Sequence, residues 1–246
     1  MASRKSRIIL IETSASLCSV ALAEEGNVLA YRESAGGREH AALTAPFVSE
    51  VLAECGLKVS DCSAVCVSAG PGSYTGLRVG SSTAKGLCFG AGIPLISVST
   101  PDIVVAKAIS GGLVPDGCTA IIPMIDARRM EVYSAVYSPM GERLTDIAPV
   151  VVEGQESLEV LSGLLQEGAS PLSGGKVLFV GDGALKCREA LAGPDFVFAE
   201  LVADAASMAP LAFRKLEARE FENTAYFEPF YLKDFVPGTP TVKGLK

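Results

Sequence analysis

The first hundred residues alternate between short apolar runs and polar or glycine-bearing punctuation. Residues 7–12 are a β-branched apolar run, 13–17 are small and polar, 18–23 alternate again, and Glu25-Gly26-Asn27 precedes a third run at 28–33. Apolar runs of this length bounded by turn residues predict a three-stranded antiparallel meander. The period then changes. Leu43, Phe47, Val51 and Cys55 recur at every fourth position and Gly56 follows, which predicts a helix over 39–55 with a glycine stop. Pro46 inside it deletes one backbone bond and predicts a kink. Residues 64–68 predict a buried strand, 69–76 a glycine-rich loop, 77–90 a helix and 93–98 another strand. A strand, crossover helix and strand of this length predict a parallel, right-handed βαβ unit. A further helix opens at Thr100 as cap, with Pro101 and Asp102 in its first turn.

Beyond a Gly/Pro-bearing break at 111–117 the opening pattern recurs. Ile11-Glu12-Thr13 matches Ile125-Asp126-Ala127, Ala21 and Ala135 each stand nine residues after the acid, and turn glycines follow at Gly26 and Gly141. This predicts an internal duplication, each α/β lobe starting with a strand, an acid at its tip and an antiparallel hairpin. The second lobe continues with a strand at 149–153, a helix at 156–166, a strand at 176–180, the turn Gly181-Asp182-Gly183, a helix at 184–191 and an amphipathic helix at 205–219. The expected divisions are 1–105, 106–222 and a tail, 223–246. That tail carries Tyr226, Phe227, Phe230 and Tyr231, too aromatic for a free linker, so it should dock on the body, with disorder past Val236.

Composition narrows the class. Hydrophobic residues make up 49% and charged residues 20% of 246, yet no apolar run approaches the length that spans a bilayer. The basic start is followed by only about four apolar residues before Glu12, which does not fit a signal peptide. The expectation is a short disordered lead-in and a cytoplasmic protein that does not enter a membrane. Seven cysteines, an odd count without a Cys-x-x-Cys pair, read as reduced core thiols. The net charge of −7 repels nucleic acid, so RNA should be met only through a partner.

The most informative stretch runs from Gly70 to Gly80 and reads Gly-Pro-Gly-Ser-Tyr-Thr-Gly-Leu-Arg-Val-Gly. Its glycines allow a tight turn whose N–H groups, around Gly72, Ser73, Thr75 and Gly76, face an anion at the following helix start. The same glycines equally serve close packing. No Gly-Lys-Ser/Thr follows and no dinucleotide fingerprint is present. Glu12 and Asp126 stand where a two-lobed nucleotide-binding fold places acids for Mg²⁺ and water, and Gly181 and Gly183 where it places an adenosine loop; solvated acids and a simple turn are the plainer readings. His40 is the single histidine, so a two-histidine metal site cannot form. In the helix at 39–55 an apolar arc from Phe47 through Val51, Cys55, Val48 and Leu52 to Ala45 is wider than one core contact needs. It is either deeply buried or has one face on its own sheet and the other on a partner.

Several runs together resemble one family. These are Glu12-Thr13-Ser14 with Cys18-Ser19-Val20-Ala21-Leu22, Arg38-Glu39-His40, the Gly70 to Gly80 loop, Ser97-Val98-Ser99-Thr100, Ile125-Asp126-Ala127-Arg128-Arg129 with Glu131-Val132-Tyr133, and Glu228-Pro229-Phe230-Tyr231-Leu232. They are similar to the TsaB family of bacterial tRNA threonylcarbamoyladenosine biosynthesis proteins, most closely up to Tyr133. The resemblance implies an actin-like (ribonuclease H-like) α/β fold of two duplicated lobes. It also implies a non-catalytic subunit that binds and activates a TsaD-like catalytic subunit, which transfers threonylcarbamoyl to the tRNA adenosine beside the anticodon, with a TsaE-like ATPase completing the complex; no cofactor is assigned to this chain, and ATP or ADP is a candidate ligand of the complex. The TsaD helix that matches 39–55 carries a His-x-x-x-His metal pair; here Thr44 takes the second place, which implies no metal and no catalytic residue in this chain. The resemblance directs His40, Leu43, Phe47, Val48, Val51, Leu52 and Cys55 to the partner contact, or to a homodimer in isolation. Glu12 departs from the aspartate more common in the family. The rival readings are an ATP-dependent small-molecule kinase and a peptidase-like member of the same superfamily.

Overall fold

The computed structural model describes residues 5–36, 39–154, 156–157, 159, 174–191 and 193–232. The opening apolar runs form β1 (Arg7–Glu12), β2 (Cys18–Glu24) and β3 (Asn27–Ser34), and the change of period gives α1 (His40–Glu54), which runs through Pro46. Next come β4 (Ala64–Gly70), α2 (Tyr74–Ala91), β5 (Leu95–Ser99) and α3 (Thr100–Ser110). The second half contributes β6 (Cys118–Asp126), β7 (Glu131–Ser134), β8 (Ala148–Val151), β9 (Lys176–Val180), α4 (Ala184–Cys187), β10 (Phe196–Ala199) and α5 (Ala209–Ala218). The helix expected at 156–166 lies mostly outside the described residues, as do residues 1–4 and the end of the tail.

The two sheets repeat one topology. The first has the order β3-β2-β1-β4-β5 and the second β8-β7-β6-β9-β10. In each, the first three strands are antiparallel, and the fourth joins the first in parallel, with the fifth parallel beside it. The duplicated, actin-like α/β architecture is therefore present. The residue match within it is offset, however. Glu12 pairs with Ser19 but Asp126 with Val132, so the second turn is one residue shorter. Ala21 lies opposite Leu10, while Ser134, not Ala135, lies opposite Met124.

Strand alternation distributes side chains to three cores. Ile8 and Leu10 of β1, Ile121 and Ile125 of β6, and Leu178 and Val180 of β9 meet α3 and α5 in a shared core between the sheets. Ile9 and Ile11 face outward onto α1 and α2; Ile122 and Met124 face outward onto α4. The 105/106 division falls inside α3, which packs against strands of both lobes. Lys107 of α3 is ion-paired at 2.6 Å to Asp204, in the segment leading to α5, and so ties the two inner helices together.

Local chemistry corrects several boundaries. α2 begins at Tyr74, three residues before the expected start, because the Ser73 hydroxyl accepts from the Gly76 N–H and caps it. α3 is capped by Ser99, whose hydroxyl accepts from the Asp102 N–H, and not by Thr100. The strand β10 has no counterpart among the expected elements.

Candidate functional site

Glu12 ends β1 on the inner face of its sheet, on the same side as Leu10, and is fully buried. Its Oε1 accepts from the Ser14 N–H, while Oε2 has no hydrogen-bond partner, nor have the buried hydroxyls of Ser14, Ser68 and Thr100. Loss of hydration lifts the Glu12 pKa to about 7, against the pull of the neighbouring Ser14 and Ser68 hydroxyls; the Asp204 charge adds a smaller push upward. This carboxyl is shielded from solvent and held far more easily protonated than an ordinary glutamate.

Over this strand tip lies the first glycine loop, where the glycines are closely packed. A Cβ on Gly76 would penetrate the Thr13 carbonyl oxygen, one on Gly72 the Ser14 carbonyl, and one on Gly80 the Thr13 hydroxyl. The glycines are there because the backbone of α2 touches the backbone after β1. Two of the loop's N–H groups are engaged within the chain: Ser73 N–H donates to the Ser14 carbonyl at 2.6 Å and Gly76 N–H to the Ser73 hydroxyl at 3.3 Å. Thr13 returns the contact, its hydroxyl donating to the Gly76 carbonyl at 2.8 Å. Thr75 is exposed on the first turn of α2. Thr13 and Ser14 carry this junction, and their small polar side chains after a strand were the available signal.

The second lobe repeats the device with different chemistry. A Cβ on Gly181 would enter the Met124 carbonyl, and Gly183, whose N–H donates to that carbonyl at 2.9 Å, is as closely packed on Val132. Asp126, by contrast, is exposed. It pairs with Lys186 of α4, and its own N–H donates to Asp182 at 2.8 Å. Burial lifts the Asp182 pKa, against the pull of the hydrogen bond from the Asp126 N–H; the Asp126 charge adds a smaller push upward. Because Asp126 follows the alternation of Ile122 and Met124, it faces outward, where Glu12 faces inward. The structure thus gathers Glu12, Gly72, Ser73 and Gly76 at one tip and Asp126, Gly181 and Gly183 at the other. It does not bring the two acids together across a common cleft; the two fall on opposite faces.

On α1 the expected contact residues divide. Val48, Val51 and Leu52 are buried against the chain's own first sheet, and His40 and Thr44 with them. The His40 Nε2 meets the Ala15 carbonyl at 3.0 Å, and the Thr44 hydroxyl donates to the His40 carbonyl at 2.6 Å. Leu43, Phe47 and Cys55 are half-buried at the flank. The outward stripe is Ala41, Ala42, Ala45, Pro46 and Ser49, all exposed. On α2, Phe89 is 89% exposed, one helical turn beyond Lys85 and on the same face of that helix. Among the described residues no three His, Cys, Asp or Glu side chains converge as metal ligands, and no helix is long and apolar enough to cross a membrane.

Comparison with known proteins adds the following. A family model described as TsaD, tRNA N6-adenosine threonylcarbamoyltransferase, matches residues 27–235. The tRNA threonylcarbamoyladenosine biosynthesis protein TsaB of Escherichia coli K12 is 40% identical over 131 residues, 53% of this chain and 54% of that protein. Its namesake from Bacillus subtilis 168 is 34% identical over 142 residues, 58% and 59% of the two chains. The chain therefore spans little more than half the length of these curated relatives. Among solved structures, YeaZ from Pseudomonas aeruginosa superposes with a TM-score of 0.77 at 26% identity, covering 92% of this chain and all of that one.

Proposed function

The chain belongs to the TsaD family, and from that membership we propose that it is a non-catalytic subunit of the tRNA threonylcarbamoyladenosine-forming assembly. In this role it binds and activates a TsaD-like catalytic subunit that transfers threonylcarbamoyl to the adenosine beside the anticodon, with a TsaE-like ATPase as the third component. The names of the relatives that match it support the pathway. The reading of a docking subunit rests on one observation: α1 leaves an outward stripe of small residues, with the half-buried Phe47 at its flank, that the chain's own sheet does not cover. Small side chains let another helix approach closely, and aromatic flanks supply apolar area. Where a catalytic relative would carry a second histidine, Thr44 is turned inward onto the His40 carbonyl. The first glycine loop serves as a turn that fixes α2 on β1.

Substitution of the outward stripe tests this without touching the core. Ala42→Glu with Ala45→Glu should abolish co-purification with the catalytic subunit while the purified variant keeps its thermal midpoint, since both positions are exposed. Co-purification at the wild-type yield would refute the assignment. We further propose that the same face pairs two copies of this chain when the catalytic subunit is absent, and that the protein acts in the cytoplasm.

A further inference from the structure

The segment after α5 encloses a cavity apart from the α1 stripe. Glu222 adds to the open edge of the first sheet, its N–H donating to the Leu95 carbonyl at 2.9 Å, and its carboxylate accepts from Ser97 at 2.6 Å. Asn223 then caps a tight turn, its side chain accepting from the N–H groups of Ala225 and Tyr226. Lys85 of α2 clamps this turn from behind, donating to the carbonyls of Ala225 and Phe227 at 3.2 and 3.1 Å. The Phe230 N–H closes the loop on the Ala69 carbonyl at 2.7 Å. Pinned at both ends and in the middle, residues 222–230 surround a cavity of about 370 Å³ lined by Ser97, Glu222, Tyr226, Phe227, Glu228 and Phe230 among others.

The lining is unbalanced. Among the described residues it holds three aromatic rings and two carboxylates but no cationic side chain, and neither Glu222 nor Glu228 has an ion-pair partner there. The nearest cations are committed elsewhere: Lys85 to the carbonyls behind the turn, and Arg78, which feels the Glu228 charge, to the Tyr74 ring at 4.2 Å and the Tyr231 hydroxyl at 3.4 Å. Rings present a negative face to a cation, and carboxylates supply the hydrogen-bond acceptors that such a group needs. The rim is open, with Tyr226 84% and Phe230 46% exposed, which suits a side chain entering from another macromolecule better than an engulfed metabolite. We propose that this pocket receives an arginine or lysine side chain presented by a polypeptide partner. The chain's net charge of −7 steers such a basic segment toward it.

The test is an amide NMR titration of the full chain with the blocked tripeptide acetyl-Ala-Arg-Ala-amide, its citrulline counterpart as the neutral isostere, and free agmatine. The arginine peptide should shift the amides of Ala69, Ser97 and Asn223 saturably, and the citrulline peptide should not. Tyr226→Ala should weaken binding about threefold, the usual size of an exposed cation–π contact. Glu222→Gln with Glu228→Gln should weaken it about tenfold or more, and Leu29→Ser, on β3 at the opposite edge of the first sheet, should leave it unchanged. Equal shifts from the citrulline peptide, or full affinity in the double carboxamide variant with its thermal midpoint intact, would overturn the site. Tighter binding of agmatine than of the peptide would overturn the polypeptide as its occupant.

Discussion

Glu12 and Asp126 end the first strands of two lobes with one topology, yet they live in opposite surroundings. Glu12 points into the core between the sheets and is dry, with one oxygen unpartnered; Asp126 points outward, is wet, and is neutralised by Lys186. The strand order was duplicated and the chemistry was not. Glu12 is in phase with the inward Ile8 and Leu10 of β1, whereas Asp126 is in phase with the outward Ile122 and Met124 of β6, and alternation along a strand has a period of two. What the lobes do share is backbone: in each, a glycine after the fourth strand lies on the chain at the end of the first.

The glycine contacts give the largest expected effects. In Gly76→Ala the new methyl meets the Thr13 backbone, which has no rotamer to change, and we expect a loss of about 4 kcal/mol or more in chemical denaturation. Gly183→Ala, which meets the Val132 methyl at 2.8 Å and the Met124 carbonyl at 3.0 Å, should cost about 1–2 kcal/mol, as the Val132 side chain can shift. Equal costs would mean that the two loops are held alike.

The acids give the next. The Glu12 pKa in the folded chain, about 7, exceeds its unfolded value, so the native state binds the extra proton. Stability is then full below about pH 4.5 and declines as pH rises through 7, by about 3 kcal/mol in all. Glu12→Gln should remove that decline and be the more stable protein at pH 8, measured by denaturant midpoints across pH. A wild-type profile that stays flat between pH 5 and 8 would contradict the buried carboxyl. Smallest of all, Lys186→Ala breaks a partly exposed pair and should cost about 0.5 kcal/mol, vanishing at high salt.

Much of the first lobe was legible because its strands are apolar runs with turn residues between them, and β9 was found at its exact bounds. β10 was missed: Phe196 to Ala199 is four residues long and only half-buried, too short for periodicity to register. The start of α2 was hidden by glycines that usually signal loop, whereas the Ser73 cap decides it locally. The faces of Glu12 and Asp126 depend on which alternate residues of β1 and β6 point inward, and continuous apolar runs do not reveal that. On α1 the apolar arc was read correctly as wide, but its large members Val48, Val51 and Leu52 fill the chain's own core, and the outward side is made of alanines that carry little hydrophobic signal.

Hydrogen–deuterium exchange of this chain, alone and saturated with the TsaD-like subunit, tests the docking assignment most directly. The α1 face predicts that partner-induced protection concentrates in residues 40–54. Protection confined to residues 126–132 and 181–187, with α1 exchanging as in the free chain, would contradict it.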